Sequence, residues 1–274
     1  MTAVEAGIGR IAFLGGGFMG EGIVQGLISQ GVSHPHELCV CDVAEARRIH
    51  LGDRYGVRTT PRQFEAVQGA RIVVVSVKPQ EFEVLAREVA GALQPEQIVL
   101  SIMAGVRITT IRERLDHERI VRAMPNTPGA IGEGYTAWTA TPLIEPDELA
   151  AVGALLGSLG GSSYFPDEKY LDMATAVSGS GPGFVMLLVE AMIDAAVHIG
   201  LKRDVATDMV LRTFAGTARY AHATGQHPAE LRNAVTSAGG TTAAGLLELE
   251  RAGVRAAIAD CVIAAYEKSR ALGG

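Results

Sequence analysis

Three glycines, Gly15, Gly17 and Gly20, stand in the spacing G-x-G-x-x-G between the apolar run Ile11 to Leu14 and a helical pattern with Ile23, Val24, Leu27 and Ile28 on one face. In a strand-to-helix turn the first glycine permits the tight bend, the second lets a pyrophosphate reach the backbone, and the third lets helix and strand pack closely. Unpaired N–H groups and the positive helix end would then hold the phosphates, with Phe18 and Met19 in the same turn. A purely structural glycine turn is the competing reading. Asp42 lies 22 positions beyond Gly20 (42 − 20), at the end of a second apolar run. An acid there can accept hydrogen bonds from adenosine ribose hydroxyls and repels a 2′-phosphate, which favours NAD; Arg47 and Arg48 could offset that repulsion. Ser76-Val77-Lys78-Pro79 closes the most apolar run, Ile72 to Val77, at the strand end where open sheets bind ligands. Asn126, between Pro125 and Pro128, could offer its amide to the nicotinamide end or simply close an Asx-type turn.

A second glycine-rich segment, Thr236-Ser237-Ala238-Gly239-Gly240-Thr241-Thr242, precedes a helical pattern from Ala243 to Glu250. Two glycines and four hydroxyls before a helix form an anion nest suited to a carboxylate, or an ordinary hydroxyl cap. No Glu or Gln follows at capping-box distance, which leaves N–H groups open to a ligand. Val177-Ser-Gly-Ser-Gly-Pro182-Gly183 reads as a junction between helices. Cys39, Cys41 and Cys261 have no metal or redox spacing, and the seven histidines form no ligand pattern, so no metal is expected. Cys39 and Cys41 share one face of a strand and read as buried thiols.

The elements that must position these residues divide the chain in two. Strand-like runs at 11–14, 38–43, 57–59, 72–77, 98–102 and 119–123 alternate with helical patterns, which predicts an α/β fold of Rossmann type, a doubly wound parallel sheet. Met124 to Gly134 is dense in turn formers and reads as a loop along the sheet edge; 135–139 and 163–165 read as last strands around a helix at 146–159. Beyond Pro166 only helices are predicted, at 169–177, 183–199, 202–224, 228–235, 243–251 and 254–272. The expected domains are therefore 1–166, binding dinucleotide, and 167–274, all-helical. Net charge is −6, from 24 basic and 30 acidic residues with no basic run, which argues against nucleic acid or an anionic membrane as partner. The acidic N-terminus lacks a signal peptide, and Phe184 to Ile199 is too short and too interrupted by Glu190 and Asp194 to span a bilayer, so a cytoplasmic protein is expected.

Taken in order, Gly15-x-Gly17-x-Met19-Gly20, Val77-Lys78-Pro79, Ala104-Gly105-Val106, Arg122-Ala-Met-Pro-Asn126-Thr-Pro128, Ser178-Gly-Ser-Gly-Pro182 and Gly239-Gly240-Thr241-Thr242 resemble the pyrroline-5-carboxylate reductase family over essentially the whole chain. The resemblance implies a Rossmann domain followed by a helical domain that interlocks with a partner's into a homodimer, in several members a decamer. It implies reduction of a cyclic imine, 1-pyrroline-5-carboxylate, to L-proline by NADPH or NADH, the last step of proline biosynthesis. Such chemistry needs no metal and no nucleophile; positioning of the nicotinamide about 3–3.5 Å from the imine carbon supplies much of it. By the same resemblance Gly15, Gly17, Phe18, Met19 and Gly20 hold the pyrophosphate, and Lys78, Ala104 and Asn126 lie along the cofactor, with Val77, Pro79 and Gly105 beside them. Ser237, Gly239, Gly240 and Thr241 hold the substrate carboxylate, and Thr242 places its hydroxyl near the imine nitrogen.

Three positions depart from the family pattern. Phe18 stands where Asn is usual, removing a polar contact to the cofactor, and Ala238 where Pro is usual, loosening the substrate loop. Asp42-Val43 stands where many members place hydroxyl or basic residues for the NADP phosphate. A 3-hydroxyacid-type dehydrogenase shares the domain order but wants a lysine acid/base in the helical domain; Lys169, Lys202 and Lys268 sit in no suitable motif. Another cyclic-imine reductase and a dinucleotide-binding protein without turnover are the remaining alternatives.

Overall fold

The computed structural model describes residues 8–273; the N-terminal segment in which no signal peptide is expected lies outside them. Packing divides the chain into two units, Gly181–Ala264 and all the rest. The larger unit is built as β1 (Ile11–Leu14), α1 (Phe18–Ser29), β2 (Leu38–Cys41), α2 (Glu45–Tyr55), β3 (Arg58–Thr60), α3 (Gln63–Val67), β4 (Ile72–Val75), α4 (Phe82–Val89), β5 (Ile98–Ser101), α5 (Ile108–Leu115) and β6 (Ile120–Met124). It continues with β7 (Gly134–Ala140), α6 (Pro146–Gly157), β8 (Gly160–Tyr164) and α7 (Lys169–Ala174).

One eight-stranded sheet runs in the order β3-β2-β1-β4-β5-β6-β7-β8. The central strands β1, β2 and β4 read as unbroken apolar runs because both faces are covered. Ile11 and Phe13 pack on one side with Ile23, Val24 and Leu27 of α1, Leu51 of α2, and Val152 and Leu155 of α6. Ala12 and Leu14, with Val73 and Val75, pack on the other side against α3, α4 and α5 through Val67, Leu85, Val89 and Ile111. Cys39 and Cys41 sit on that second side, buried, and burial pushes the Cys41 thiol up to about 12.

From β3 to β6 all strands are parallel, as the alternation of elements predicts, but β7 runs antiparallel to β6 and β8 parallel to β7. A parallel connection needs a crossover of a dozen or more residues, and only 125–133, wound around a 3-10 turn at Thr127–Ile131, separate β6 from β7. The loop read from sequence is thus the reversal point of the sheet.

The packing division follows Ser180, later in the chain than Pro166. Leu171 and Asp172 of α7 are buried in the larger unit, and Arg122, only 2% exposed on β6, donates to Glu168 Oε1 at 2.6 Å just before α7. Ser269 Oγ donates to Asp172 Oδ1 at 3.0 Å, and Arg107 Nε donates to the Gly273 carbonyl at 2.6 Å, which ties the chain's last turn to this unit. After a π-turn at Thr175–Gly179 come α8 (Gly181–His198), α9 (Arg203–Thr224), α10 (Pro228–Ala234), α11 (Thr241–Arg251) and α12 (Val254–Leu272). Counted across the π-turn and a bend at Ser180, the helical stretch Lys169–His198 is longer than the sequence reading, and by length and composition it could cross a membrane. In the smaller unit Val189, Ala206 and Val210 are buried, whereas Met186, Leu187, Met192, Met209 and Leu211 stay exposed.

Candidate active site

Gly15 leaves β1 with φ +107°, a left-handed conformation that excludes a side chain, and a Cβ there would lie 2.9 Å from the Ser76 backbone. A Cβ on Gly20 would lie 2.6 Å from the Gly15 carbonyl, so the turn closes only with hydrogen at both positions. Gly17 is the N-cap of α1, with no side-chain cap and open space around it. Phe18, Met19 and Gly20 are the first helical residues, and Phe18 is 62% exposed. The Gly15 N–H is taken by the Cys41 carbonyl at 2.8 Å, whereas the first amides of α1, from Gly17 on, have no capping side chain, the arrangement that binds an anion.

Gly16 is held on both sides. Its N–H donates to Asp42 Oδ2 at 2.8 Å, while Asp42 Oδ1 accepts from the Ala44 N–H at 2.9 Å. Its carbonyl accepts from Arg47 Nε, and the same guanidinium pairs with Glu21 in the first turn of α1. His50 Nε2 lies 2.9 Å from Glu21 Oε1, and the Tyr55 hydroxyl donates to that oxygen at 2.8 Å. Burial pushes the Glu21 carboxyl up, but hydrogen bonds from His50, Arg47 and Tyr55 outweigh it and bring the group down to about 2. Arg48 donates to the carbonyls of Asp42 and Val43 at 2.8 and 2.9 Å. Each arginine of the pair thus has a fixed task at the β2–α2 turn. Nothing in the sequence pattern marked Glu21 or the grip on Gly16.

At the carboxyl edge of β1, β2 and β4 a cleft of ≈ 430 Å³ opens. Of the residues singled out from sequence it brings together Gly15, Gly17, Asp42, Val43, Ser76, Val77 and Lys78, and it adds Gln63, Val84 and Leu85. Ser76 Oγ donates to the Gly15 carbonyl at 2.7 Å and so fixes the floor. Gln63 Oε1 is buried and has no hydrogen-bond partner in the protein. A glycine-built helix start with open space at Gly17, beside the Asp42 carboxylate in one largely apolar cleft, fits a dinucleotide.

Pro79 opens a 3-10 turn beyond Lys78. Ala104 and Gly105 follow β5, Gly105 with φ +74° and close to Leu272. Asn126 follows β6; its Oδ1 accepts from the Tyr135 N–H at 2.9 Å and its Nδ2 donates to the Ser178 carbonyl at 3.1 Å. The amide therefore ties the reversal point of the sheet to the π-turn. Ala104, Gly105 and Asn126 do not line the cleft.

The second nest belongs to the smaller unit. Gly239 has φ +69°, and the Gly240 N–H donates to the Ser237 carbonyl at 3.1 Å. Gly240 caps α11 without a side-chain bond, so the helix starts at Thr241 and both Thr241 and Thr242 lie in its first turn, two residues before the start read from sequence. A Cβ on Gly240 would lie 2.3 Å from Ser237 Oγ, so glycine there makes room for the hydroxyl. Ser237 thus lies against Gly240 at the start of α11, with Thr241 and Thr242 following in its first turn.

A parallel sheet that opens its carboxyl edge onto an uncapped glycine turn is the way Rossmann-type oxidoreductases receive a nicotinamide dinucleotide, and this chain is an oxidoreductase of that class. Residues 10–105 match the family model described as NADP oxidoreductase coenzyme F420-dependent, and 168–272 match pyrroline-5-carboxylate reductase dimerisation. The pyrroline-5-carboxylate reductase of Synechocystis sp. is 41% identical over 265 residues, 96% of this chain and 98% of the relative. The structure of a pyrroline-5-carboxylate reductase from Coxiella burnetii superposes with TM-score 0.90 at 31% identity, covering 97% of this chain and 99% of that one. The Plasmodium falciparum pyrroline carboxylate reductase with NADP bound gives 0.87 at 28% identity, covering 97% and 98%. The chain belongs to the pyrroline-5-carboxylate reductase family.

Proposed function

We propose that this chain reduces 1-pyrroline-5-carboxylate to L-proline with NADPH or NADH, the closing reaction of proline biosynthesis. The observation that carries the reading is the pair of glycine-built helix starts, Gly15-Gly17-Gly20 at α1 and Gly239-Gly240 at α11, in a chain of this family. When bound, the reduced nicotinamide supplies the hydride. The amides of Gly17, Phe18, Met19 and Gly20 take the pyrophosphate, while Gly15, its own N–H on the Cys41 carbonyl, shapes the turn beneath it; Asp42, held by two backbone N–H groups, takes the adenosine ribose hydroxyls. Val77, Lys78, Pro79, Ala104 and Gly105 flank the cofactor; Asn126, its amide engaged by Tyr135 and Ser178, sets the backbone of the turn at its far end. Ser237, Gly239, Gly240 and Thr241 hold the substrate carboxylate on the α11 dipole. Thr242 orients the imine nitrogen through its hydroxyl and relays the proton that nitrogen gains.

The exposed apolar side chains of α8 and α9 are covered in this reading by a second copy, giving a homodimer through the C-terminal helices and, by further association, a decamer. The run from Lys169 to His198 then faces protein rather than lipid, in a soluble, cytoplasmic enzyme. The test is substrate-dependent loss of reduced-nicotinamide absorbance with each coenzyme. Protein that binds ADP-ribose yet turns over with neither coenzyme would overturn the reading and favour a non-catalytic binder.

A further inference from the structure

We propose that Arg107 is a positioning residue for the nicotinamide half of the coenzyme, fastening the turn after β5 to the end of α12. The proposal rests on the dinucleotide reading of the sheet edge. In a doubly wound sheet a dinucleotide lies across the carboxyl ends of the strands. With the phosphate turn after β1 and Asp42 after β2, the nicotinamide half falls on the opposite side of β1, past β4 toward β5. The segment it meets there is Met103-Ala104-Gly105-Val106, between β5 and α5.

Hydrogen bonds hold the two ends of that segment. The Ile102 N–H donates to the Val75 carbonyl at 3.1 Å, and the Ile108 N–H to Glu168 Oε1 at 2.9 Å. Between them Ala104 is exposed and Gly105 takes the left-handed conformation, φ +74°. The middle is braced from α12. A Cβ on Gly105 would lie 3.2 Å from Leu272 Cβ, so the turn rests directly on the last helical residue. Arg107 ties the two together: its Nε donates to the Gly273 carbonyl at 2.6 Å, and Nη2 lies 3.8 Å from Asp172 Oδ2. Asp172 is buried, and its other oxygen accepts from Ser269 Oγ of α12 at 3.0 Å. One guanidinium thus joins the start of α5 to α7 and to the end of α12. Hydride transfer depends on a reacting ring held in place, and a turn braced in this way is preorganised to hold it. Arg107 acts through Ala104 and Gly105 rather than on the coenzyme itself.

The experiment uses the full-length protein and compares NADH with ADP-ribose, which lacks the nicotinamide. Dissociation constants come from nicotinamide fluorescence and its displacement, and kcat from substrate-dependent oxidation of NADH. Arg107→Met should lower kcat roughly 10- to 100-fold through misplacement of the ring. It should weaken NADH binding about three- to tenfold while ADP-ribose affinity stays within about twofold of wild type. Arg107→Lys keeps a charge beside Asp172 and should fall between wild type and Arg107→Met; it carries the test if circular dichroism shows the methionine variant unfolded. Arg112→Met, which removes an exposed ion pair with Glu118 later in the chain, is the control and keeps the wild-type constants. Wild-type kcat and NADH affinity in the folded variant, with only its melting temperature lowered, overturn the proposal. So does an equal loss of NADH and ADP-ribose affinity, or the same loss in Arg112→Met. Failure of the underlying reading looks different, because wild-type protein would then bind neither NADH nor ADP-ribose.

Discussion

Replacing Glu21 by Gln should destabilise the protein in a pH-dependent way that reads out the α1–α2 junction directly. Glu21 receives Arg47, His50 and Tyr55 of α2, and its side chain is 19% exposed. Its carboxyl falls from 4.5 to about 2 on folding. That difference corresponds to at most about 3 kcal/mol of stability, and solvent at the rim reduces the working value to about 1–3 kcal/mol. Because the folded pKa is depressed, the contribution is complete above about pH 4.5 and is lost as pH falls toward about 2. Glutamine has no such charge to lose, so the gap between wild type and variant should be full at pH 7. It should be smaller by up to about 1.4 kcal/mol at pH 3.5. Urea unfolding followed by circular dichroism at fixed protomer concentration measures the gap. A gap that stays constant between pH 7 and 3.5, or no gap at pH 7, refutes the assignment of the Glu21 charge to this junction.

Thr242→Ala should lower kcat/KM roughly 10- to 100-fold through loss of orientation and proton relay, with coenzyme affinity within about twofold of wild type; full activity refutes the role. Asp42→Asn should raise the affinity ratio of NADPH to NADH roughly tenfold by removing repulsion of a 2′-phosphate, and titration of both coenzymes with an unchanged ratio would show that Asp42 does not set the preference. Arg122→Met removes one member of a buried pair and leaves Glu168, among the described residues, with the Ile108 N–H at 2.9 Å. It should cost about 3–5 kcal/mol in chemical unfolding, and a loss under about 1 kcal/mol would count against a structural role for the pair.

What the sequence made legible follows from burial. Strands covered on both faces leave runs such as Ile72 to Val75 that admit no other reading, and a glycine turn that cannot tolerate a Cβ advertises itself at Gly15 and Gly20. The reversal at β7 was hidden because turn formers between Met124 and Gly134 mark a bend without marking its direction; the shortness of the segment was the usable signal. Arg47 and Arg48 looked like any helix-surface pair, since their partners Gly16, Glu21 and the Asp42 carbonyl become neighbours only in three dimensions. Asn126 offered an amide to a ligand on paper, while the fold employs it between Tyr135 and Ser178. Gln63 carried no signal at all. Only coordinates reveal that its oxygen is buried without a partner.

The bonds Ser269–Asp172 and Arg107–Gly273 make the chain leave the larger unit at Ser180 and come back to it at Ala265. The intervening helices are therefore an insert pinned at both ends, rather than a tail. Pinning a flexible loop of roughly eighty residues costs about 4 kcal/mol of chain entropy, and the two bonds with the buried Ser269 offset that cost once the larger unit has formed. The helical insert then folds from a chain whose ends are already brought together. Folding order is thereby biased toward sheet first, helices second, and cutting the chain near Ala265 would return that entropy to the unfolded insert.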